Sequence, residues 1–441
     1  MSDIIFDFND YLPDAVKHYI DMIRNNNPNA FTRHRKITVC DLISQMLTRR
    51  GRSQWSELMD FYNTKNEIKD ISETGFYLAR KKFNPEAIRV MCNEFCANSY
   101  DKYDERIQKF KGLYLLSIDG SKINVPNTKK NDVYFGKLKN EATQPTMALI
   151  STLHDCLNGV KLDILVDKAR GSERDLASKH IKHFCDNYIG KAIFVMDRGY
   201  PSMRLFDQII DNDQFFLIRI PSNFLSSYTK DINIGDDKIV EVIFDRITTN
   251  DYRDDIKFRQ KLMNTKYQFR FTKVKIGTDK EGKDTFELLI SNLPKDNFSI
   301  DDLKDIYHKR WEIETSYNRL KNRMNIEEFS GYDTNLVLQD IYADTWLFNL
   351  VAFSILEANY KKPLEQKNGK YTIKHNFNKS IGIMKRLVLK ILMCADPKDR
   401  TKYVEQLDTN IESNIVWVEN NRENIRKNAV NKSKISYRKT H

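Results

Sequence analysis

Two short apolar runs near the middle of the chain each end in an aspartate. They cover residues 113–119 (LYLLSID) and 192–197 (AIFVMD), which close with Asp119 and Asp197. Continuous apolar runs of this length predict strands that are buried on both faces of a sheet. A glycine follows each aspartate within two residues, which indicates that the chain leaves the sheet at those points.

The pattern over residues 108–220 is three strands in succession, followed by helix and strand in alternation. The predicted segments are strands at 113–119, 146–153, 160–166, 192–197 and 214–220, and helices at 173–186 and 202–211. This order predicts an α/β fold with an RNase H-like core, in which the first and fourth strands lie side by side. Asp119 and Asp197 would then be neighbours, although 78 positions separate them in the sequence.

A third acid lies in the run LKDIYHKRWEIETSYNRLKNRM, residues 303–324, which has the apolar spacing of one helix. At about 100° per residue, four polar side chains fall within a sector of about 60°. They are Tyr307, Arg310, Glu314 and Lys321, and the adjoining apolar stripe consists of Ile306, Ile313, Leu320 and Met324. Glu314 therefore lies at the edge of the buried face, whereas Glu312 points roughly the opposite way. The alternative is that Arg310 and Glu314 form an ordinary ion pair on a solvated face.

Asp119, Asp197 and Glu314 together form a candidate metal site. An acid at the end of a buried strand is costly unless it is paired or binds a cation. A single such aspartate often caps the next turn. Two of them with Glu314, however, supply the ligands that Mg²⁺ prefers, because this ion takes oxygen ligands and retains several waters. The sequence therefore predicts a three-carboxylate Mg²⁺ site.

Residues 1–107 are predicted to be all-helical. The helices start at capping residues, namely Thr38, Ser53 and Ser72. The last two open short helices about a turn apart, and the second helix carries three consecutive cations, Arg80, Lys81 and Lys82. This arrangement is typical of a helix-turn-helix-like DNA-binding unit. A plain helical bundle with charged outer faces is the alternative.

Length and charge extend this picture. A chain of 441 residues exceeds one typical domain, so two or three domains are expected. The chain has 72 lysines and arginines against 61 acids, a net charge of +11, which is compatible with a polyanionic partner without proving one. The last 21 residues hold seven cations and one acid. This tail is therefore predicted to bind the phosphates of a nucleic acid, to be disordered when free, or both.

Several other classes of protein find no support. No stretch is long and apolar enough to span a membrane, and the acidic start MSDIIFDFNDYL is unlike a signal peptide. The six cysteines are dispersed without zinc-ligand spacing, which predicts reduced thiols in a cytoplasmic protein. No glycine-rich phosphate loop is present, and His180 and His183 are predicted to be surface residues.

These motifs resemble the DDE transposases of bacterial insertion sequences, within the insertion-sequence-four family. That family is defined by a tyrosine, an arginine, a glutamate and a lysine at the spacing of Tyr307, Arg310, Glu314 and Lys321. The similarity extends to the DGS segment at Asp119, the DRGY segment at Asp197, FSGYDTNLVLQDIYADTWLFNL (329–350) and FTRHRKITVCDLISQML (31–47). It covers most of the chain, and the four-residue signature is its most specific part.

The resemblance implies cut-and-paste DNA transposition, with or without a hairpin at the transposon end. In the implied mechanism, Asp119, Asp197 and Glu314 hold two Mg²⁺ ions, for which Mn²⁺ substitutes, and these ions activate water and then a DNA 3′-hydroxyl. The residues implied to bind DNA near the transposon tip are Tyr307, Arg310 and Lys321. Trp311 is predicted to lie in the core, with stacking on an extruded base as the alternative.

The implied organisation has three parts. They are a helical DNA-binding domain at 1–107, a catalytic domain at 108–360 interrupted by a β insertion at 222–298, and a basic helical region at 361–441 for dimer or DNA contacts. The expected partners are double-stranded DNA and a second copy of the chain in a homodimer, on the nucleoid of a bacterial cytoplasm. Two alternatives stay open: an inactive DNA-binding descendant, and an RNase H-like nuclease of repair or recombination.

Overall fold

The computed structural model describes residues 3–25, 27–33, 36–65, 71–138, 144–278, 284–364 and 371–419. The basic tail at 421–441, for which phosphate binding or disorder is predicted, lies outside the described residues. Within those ranges, no helix combines the length and the apolarity needed to cross a membrane.

A mixed sheet of eight strands forms the centre of the described structure. Its strands are β1 (Tyr114–Asn124), β2 (Met147–Asp155), β3 (Lys161–Lys168), β4 (Ala192–Met196), β5 (Phe215–Arg219), β6 (Asp237–Val242), β7 (Tyr267–Thr278) and β8 (Asp284–Ser291). Their order in space is β3-β2-β1-β4-β5-β8-β7-β6. A separate small sheet pairs β9 (Tyr371–His375) with β10 (Ile415–Glu419). The α/β class predicted from the sequence is confirmed.

Helices cover both faces of the sheet. Helices from the N-terminal and C-terminal regions also pack around one long helix, α14 (Thr334–Lys361). The N-terminal helices are α1 (Asp3–His18), α2 (Ile20–Ile23), α3 (Val39–Thr48), α4 (Gln54–Lys65), α5 (Glu73–Lys81) and α6 (Pro85–Lys102). The helices of the sheet region are α7 (Lys129–Tyr134), α8 (Glu173–Asn187), α9 (Met203–Asp211), α10 (Ser226–Thr229), α11 (Ile256–Asn264), α12 (Ile300–Lys309) and α13 (Trp311–Asn322). The long helix α14 (Thr334–Lys361) is followed by α15 (Phe377–Met393) and α16 (Pro397–Ser413). Short 3₁₀ turns lie at Asp104–Arg106 and Asn250–Tyr252.

The first and fourth strands are neighbours, as predicted. Strand β1 runs antiparallel to β2 and parallel to β4, and Ser117 is the partner of Val195. Asp119 and Asp197 each lie two residues further on and therefore reach the same edge of the sheet. The prediction that β1 ends at Gly120 is wrong, because β1 continues to Asn124 through its hydrogen bonds with β2.

The strand-rich stretch predicted at 222–298 extends the central sheet. Strand β8 runs antiparallel to β5, with Leu217 opposite Ser291, and β7 and β6 follow outwards. Because β8 shares hydrogen bonds with β5, and β7 and β6 follow it in order, these strands continue the same sheet on the side of β4 away from β1. The sheet edge that carries the two aspartates is therefore supported from both sides.

Helix α14 is buried along most of its length, including its acids Asp340, Asp344 and Glu357. Two arginines from the N-terminal helical region reach it. Arg80 Nη2 lies 2.8 Å from Asp340 Oδ1, and Arg49 Nη2 lies 3.0 Å from Asp344 Oδ2. Buried charges of this kind are tolerated because each has an opposite partner and hydrogen bonds. The N-terminal helices are thus fixed to α14 by paired charges as well as by apolar packing.

The burial of Arg80 contradicts the prediction that it contacts DNA. Its side chain is 1% exposed, and its Nε donates a hydrogen bond to Gln339 at 2.9 Å while Asp340 pairs with its Nη2. A phosphate would have to displace these partners to reach the guanidinium. Lys81 and Lys82 are exposed, and their contact with DNA stays a prediction.

The prediction that His180 lies on the surface is also wrong. It is fully buried, with Nδ1 2.9 Å from Asp163 Oδ2 and Nε2 3.1 Å from Ser151 Oγ. The reason is helical spacing, since His180 lies four residues after Leu176 and one before Ile181, on the buried face of α8. His183, on the same helix, is half-buried.

Removing the shared partner of the two buried arginines should destabilise the protein strongly. Asp340→Ala leaves Arg80 without its carboxylate and removes one partner of Arg49, so we expect a loss of about 3–5 kcal/mol in the free energy of unfolding. Urea denaturation followed by circular dichroism measures this loss. The control is Asp14→Ala, whose exposed pair with Lys17 should contribute little. Equal effects of the two substitutions would contradict the role given to the buried network.

Candidate active site

Asp119 and Asp197 meet at the edge of the sheet just beyond the end of β4. The Gly120 backbone N–H donates to Asp119 Oδ1 at 2.9 Å, and the Gly199 N–H donates to Asp197 Oδ1 at 2.7 Å. Burial raises the pKa of Asp119 to about 7, and repulsion from Asp197 acts in the same direction. The interaction of their charges agrees with the prediction that the two acids are neighbours.

The helix predicted over 303–324 is interrupted at Arg310, where α12 and α13 meet. At the joint, the backbone hydrogen bonds connect residues that are three positions apart, instead of the four positions of an α-helix. The Arg310 N–H donates to the Tyr307 carbonyl at 3.2 Å, and the Ile313 N–H donates to the Arg310 carbonyl at 3.1 Å. The prediction of one continuous helix is therefore wrong, and the four signature residues lie on two helices.

The interruption takes the chain from one face of the sheet to the other. Ile306 of α12 belongs to the apolar cluster that contains Leu115, whereas Ile313 of α13 belongs to the cluster that contains Leu116. Successive residues of a strand point to opposite faces, so α12 and α13 cover opposite faces. Arg310 stands between them, at the sheet edge that carries the two aspartates.

The Arg310 guanidinium interacts with all three predicted acids. Its side chain is buried, and its Nη2 lies 3.3 Å from Glu314 Oε1. Burial lowers the pKa of Arg310, but attraction to Tyr307 and to the acids outweighs this effect and keeps the pKa above its usual value. The acids are Glu314, Asp119 and Asp197. The ion pair of Arg310 with Glu314 thus exists, but it lies at the sheet edge instead of on a solvated face.

The three carboxylates have the chemistry that a divalent cation requires. They are anionic oxygen donors, and a cation beside the buried Asp119 would relieve its repulsion with Asp197. No three acids, histidines or cysteines in the described part of the chain are grouped closely enough to hold a metal ion. The Arg310 guanidinium already lies among these acids and compensates part of their negative charge. Asp119, Asp197 and Glu314 therefore match a divalent ion in charge and in ligand type but are not grouped closely enough to hold one in this structure, and metal binding by these three residues stays a prediction.

The other two signature residues, Tyr307 and Lys321, contact residues of the protein beside the aspartates. Tyr307 is 6% exposed, and the Arg310 guanidinium carbon lies 5.4 Å from its ring centroid. Burial raises the pKa of Tyr307 to about 12. Lys321 Nζ donates to the Lys122 carbonyl at 2.7 Å, beyond Asp119 on β1. Contact of Tyr307 and Lys321 with DNA stays a prediction.

The competing acid, Glu312, has a different neighbour. One of its carboxylate oxygens lies 3.6 Å from Lys374 Nζ on β9. This placement agrees with the predicted difference in direction between Glu312 and Glu314.

The prediction that Trp311 lies in the core is wrong. Its side chain is 45% exposed, and the Arg310 guanidinium carbon lies 5.2 Å from its ring. Trp311 is exposed because it is the first residue of α13, just after the chain has passed the sheet edge. The apolar stripe that predicts a buried helix therefore does not include it.

Two further side chains near Asp119 were not predicted as functional. The Tyr317 hydroxyl donates to the Asp119 carbonyl at 2.6 Å and is buried. Its position three residues after Glu314, on the same strip, is a signal that the sequence contains. Glu173 approaches Gly120 so closely that a Cβ atom there would lie 2.9 Å from Glu173 Cδ. No local pattern signals this approach, because it depends on how α8 packs against β1.

Residues 111–350 match the family described as Transposase DDE domain. The chain belongs to this family. The transposase InsG for insertion sequence element IS4 of Escherichia coli (strain K12) is 24% identical over 289 residues, which are 63% of this chain and 59% of InsG. The match thus spans less than two thirds of the length of that relative. The resemblance to the insertion-sequence-four family is confirmed.

Other comparisons cover different shares of the chain. The transposase for insertion sequence element IS421 of Escherichia coli is 31% identical over 71 residues, 16% of this chain and 18% of that protein. The piggyBac transposase in its synaptic complex with hairpin DNA gives a TM-score of 0.46 at 11% identity, over 93% of this chain and 86% of that chain.

The raised pKa of Asp119 predicts a pH-dependent effect of removing its charge. In the folded protein this acid ionises near pH 7, compared with an ordinary value of 3.8. The folded state therefore binds more protons than the unfolded state between these values, and its stability falls as pH rises towards 7. Asp119→Asn should raise the melting temperature at pH 8 more than at pH 5, measured by calorimetry in the presence of a chelator. The control is Asp14→Asn, an exposed acid; a gain that is equal at both pH values for Asp119→Asn would contradict the raised pKa.

Proposed function

We propose that this chain is a transposase that binds the terminal inverted repeats of its insertion sequence and catalyses DNA cleavage and strand transfer. Asp119, Asp197 and Glu314 are its catalytic carboxylates. The observation that carries the proposal is the parallel pairing of β1 with β4, which brings both aspartates to one edge, where the Arg310 guanidinium interacts with them and with Glu314. The family match over 111–350 contains all four residues.

The strand order supports an RNase H-like catalytic core. Three antiparallel strands, β3, β2 and β1, are followed by β4 and β5 in parallel with β1. The acids then stand where the central parallel strands end and where α13 returns to the sheet. In this proposal β6 to β8 form the insertion that precedes the helix of the third acid.

Each residue of the site has a separate role in the proposed reaction. When bound at the three carboxylates, two Mg²⁺ ions, or Mn²⁺ in their place, would supply activation of water or of a 3′-hydroxyl and neutralise the leaving oxygen. Arg310 compensates the clustered negative charge and can hold a phosphate with two parallel hydrogen bonds. Tyr317 fixes the backbone of Asp119 through its carbonyl and so orients the carboxylate.

Double-stranded DNA and a second copy of the chain are the proposed partners. The net charge of +11 supports a polyanion, and the exposed Lys81 and Lys82 are proposed DNA contacts of the N-terminal helical domain. InsG and the IS421 protein are transposases of insertion sequences, which supports the ends of an insertion sequence as the substrate. Dimerisation follows from the need to join two ends and is part of the proposal.

Loss of any of the three carboxylates should abolish cleavage while end binding persists. We expect Asp119→Ala, Asp197→Ala and Glu314→Gln each to lower the cleavage rate by on the order of 10³-fold or more, since residues that act as a unit are each indispensable. The substrate is a DNA fragment with the gene's native flanks, in Mg²⁺ or Mn²⁺, and the breaks are mapped by primer extension. The matched control is Glu312→Gln, which removes an acid from the same helix and should leave cleavage nearly unchanged.

The outcomes separate three functions. Metal-dependent breaks at the element ends, lost in Asp119→Ala, support the transposase. Binding of the ends without cleavage by the wild type would indicate an inactive descendant, and cutting without regard to the ends would indicate a general nuclease. Loss of cleavage in Glu312→Gln but not in Glu314→Gln would show that the third acid is misassigned.

Removing Lys321 should weaken the complex with DNA ends in a salt-dependent manner. Lys321→Ala takes away one cation near the site, so the slope of log affinity against log salt should fall by about one. Fluorescence anisotropy at several salt concentrations measures this slope. Lys304→Ala, which removes a cation of α12 that pairs with Asp301, serves as the control; equal slopes for both variants and the wild type would exclude a phosphate contact of Lys321.

A further inference from the structure

We propose that a basic pocket of this protein binds a phosphate group of the DNA backbone. Its cations are Arg49, Arg50, Arg323 and Lys385. The walls come from the segment between α3 and α4, from the turn that follows α13, and from α15. The proposal takes DNA as the partner and in that respect rests on the proposed function, but none of the three proposed catalytic acids lines this pocket.

The size and the lining of the basic pocket favour a small anion. Its volume is about 260 Å³, whereas pockets for drug-sized ligands begin at about 300 Å³. The lining contains the four cations and a single acid, Glu328. Phosphate is a small anion that arginine and lysine bind through charge-assisted hydrogen bonds. The pocket therefore has the dimensions and the charge for one phosphate group.

Two of the four cations are already compensated by acids outside the pocket. The Arg49 Nη2 atom lies 3.0 Å from Asp344 Oδ2, within the charge network on α14. The Arg50 Nη1 atom lies 3.5 Å from Asp60 Oδ2, and Arg50 Nη2 donates to the Lys385 carbonyl at 3.5 Å. Arg49 and Arg50 thus shape the wall, and the uncompensated charge has to come from the other two cations.

Arg323 and Lys385 lack such partners. Within the described part of the chain, neither side chain makes an ion pair or a hydrogen bond, although Arg323 is exposed and Lys385 is half-buried. Burial lowers the pKa of Lys385, and attraction to Glu328 and to acids outside the pocket offsets only part of this effect. A phosphate beside the ammonium group would supply the negative charge that stabilises its charged form.

Two glycines keep the basic pocket open. Gly51 has a φ of +79°, and a Cβ atom there would lie 2.7 Å from Glu328 Oε2. Gly382 lies inside α15, where glycine is less favourable than alanine. A Cβ atom at Gly382 would meet no heavy atom within 4 Å. Because Gly382 lines the pocket, a larger side chain at this position would occupy its space without a clash at the first atom.

The distance from the proposed catalytic acids matches the spacing of a DNA backbone. Arg323 follows Glu314 by nine residues, most of them in α13, so it lies about 14 Å further along the helix axis. Each strand of B-DNA carries one phosphate per about 3.4 Å of helix axis. The separation thus corresponds to about four base pairs. A duplex with its scissile bond near Glu314 extends far enough to reach the basic pocket.

The alternative is that Glu328 balances Arg323 and Lys385 within the protein and that no ligand binds. The two interpretations predict different effects of Glu328→Gln on the affinity for DNA. A phosphate in the pocket is repelled by Glu328, so its loss should raise the affinity by more than loss of an acid elsewhere. Glu405→Gln, at an exposed position of α16, is the control. Equal affinities of these two variants would support the alternative and contradict the proposal.

The test measures the affinity of the full chain for two labelled DNA duplexes, one with the gene's native end and one of unrelated sequence. We expect Lys385→Gln and Arg323→Gln each to weaken both complexes by about 10-fold and to lower the slope of log affinity against log salt by about one. Both duplexes are affected alike because phosphate contacts carry no sequence information. Arg386→Gln is the control, since this adjacent cation of α15 does not line the pocket. Fluorescence anisotropy at several salt concentrations measures these values.

A second pair of variants fills the basic pocket without removing a cation. Gly382→Glu introduces a carboxylate, and Gly382→Gln introduces a neutral side chain of nearly the same size. We expect Gly382→Glu to bind both duplexes more weakly than Gly382→Gln does, because its charge repels phosphate. Both variants replace a glycine inside a helix, so neither should lower the melting temperature. A loss of affinity with an unchanged or higher melting temperature is then not due to unfolding.

The outcomes separate this proposal from the proposed function. Wild-type affinities in Lys385→Gln and Arg323→Gln, with element ends still cut by the wild type, would overturn the phosphate site and leave the proposed function intact. Weakened binding of both duplexes supports the site even if the wild type does not cut element ends, in which case the proposed function alone fails. A wild type that binds neither duplex would overturn the phosphate site.

Inorganic phosphate distinguishes the two sources of the phosphate group. Suppose that it raises the melting temperature of the wild type but not of Lys385→Gln, while both proteins bind DNA equally. The pocket would then take free phosphate instead of the DNA backbone, and the proposal would be overturned.

Discussion

The parallel pairing of β1 with β4 is the contact on which the site depends. Because Ser117 lies opposite Val195, the two aspartates that follow these residues come to one edge of the sheet. This position is unfavourable for the charged form of Asp119, because burial raises its pKa and repulsion from Asp197 adds to this effect. The backbone hydrogen bonds and the apolar packing of the sheet keep the charges together in spite of this cost. Cation binding by these acids, which would neutralise their charge, is part of the proposed function.

The break between α12 and α13 places Arg310 at the same edge of the sheet. A continuous helix would stay on one face of the sheet, whereas α12 and α13 pack on opposite faces and the chain passes the edge between them. The residue at the break is an arginine, and its charge lies among the three acids. Arg310 therefore connects the signature helices to the strand ends and reduces the repulsion among the carboxylates.

The basic character of the chain is only partly available for binding DNA. Arg49 and Arg80 are buried and paired with Asp340 and Asp344. Their charges are compensated inside the protein and contribute little to its outer field. A net charge summed over the sequence counts these arginines equally with exposed cations such as Lys81 and Lys82, so the binding surface has to be judged from exposure.

The sequence by itself determined the features that depend on neighbouring residues. The two apolar runs ending in acids, the capping box at Thr38 and the start of α8 at Ser172 are local, and each was predictable from a few adjacent side chains. Asp119, Asp197 and Glu314 could be chosen as candidates on the same basis. The adjacency of β1 and β4 was predictable because few topologies accommodate that order of strands.

Only the tertiary structure decided the features that depend on distant packing. The break at Arg310 reflects the two faces of the sheet, the burial of Arg80 reflects a carboxylate on α14, and the exposure of Trp311 reflects the passage around the edge. Glu173 comes close to Gly120, 53 positions earlier in the sequence, because α8 packs against β1. In each case the deciding partner is remote along the chain, and no local pattern contains it.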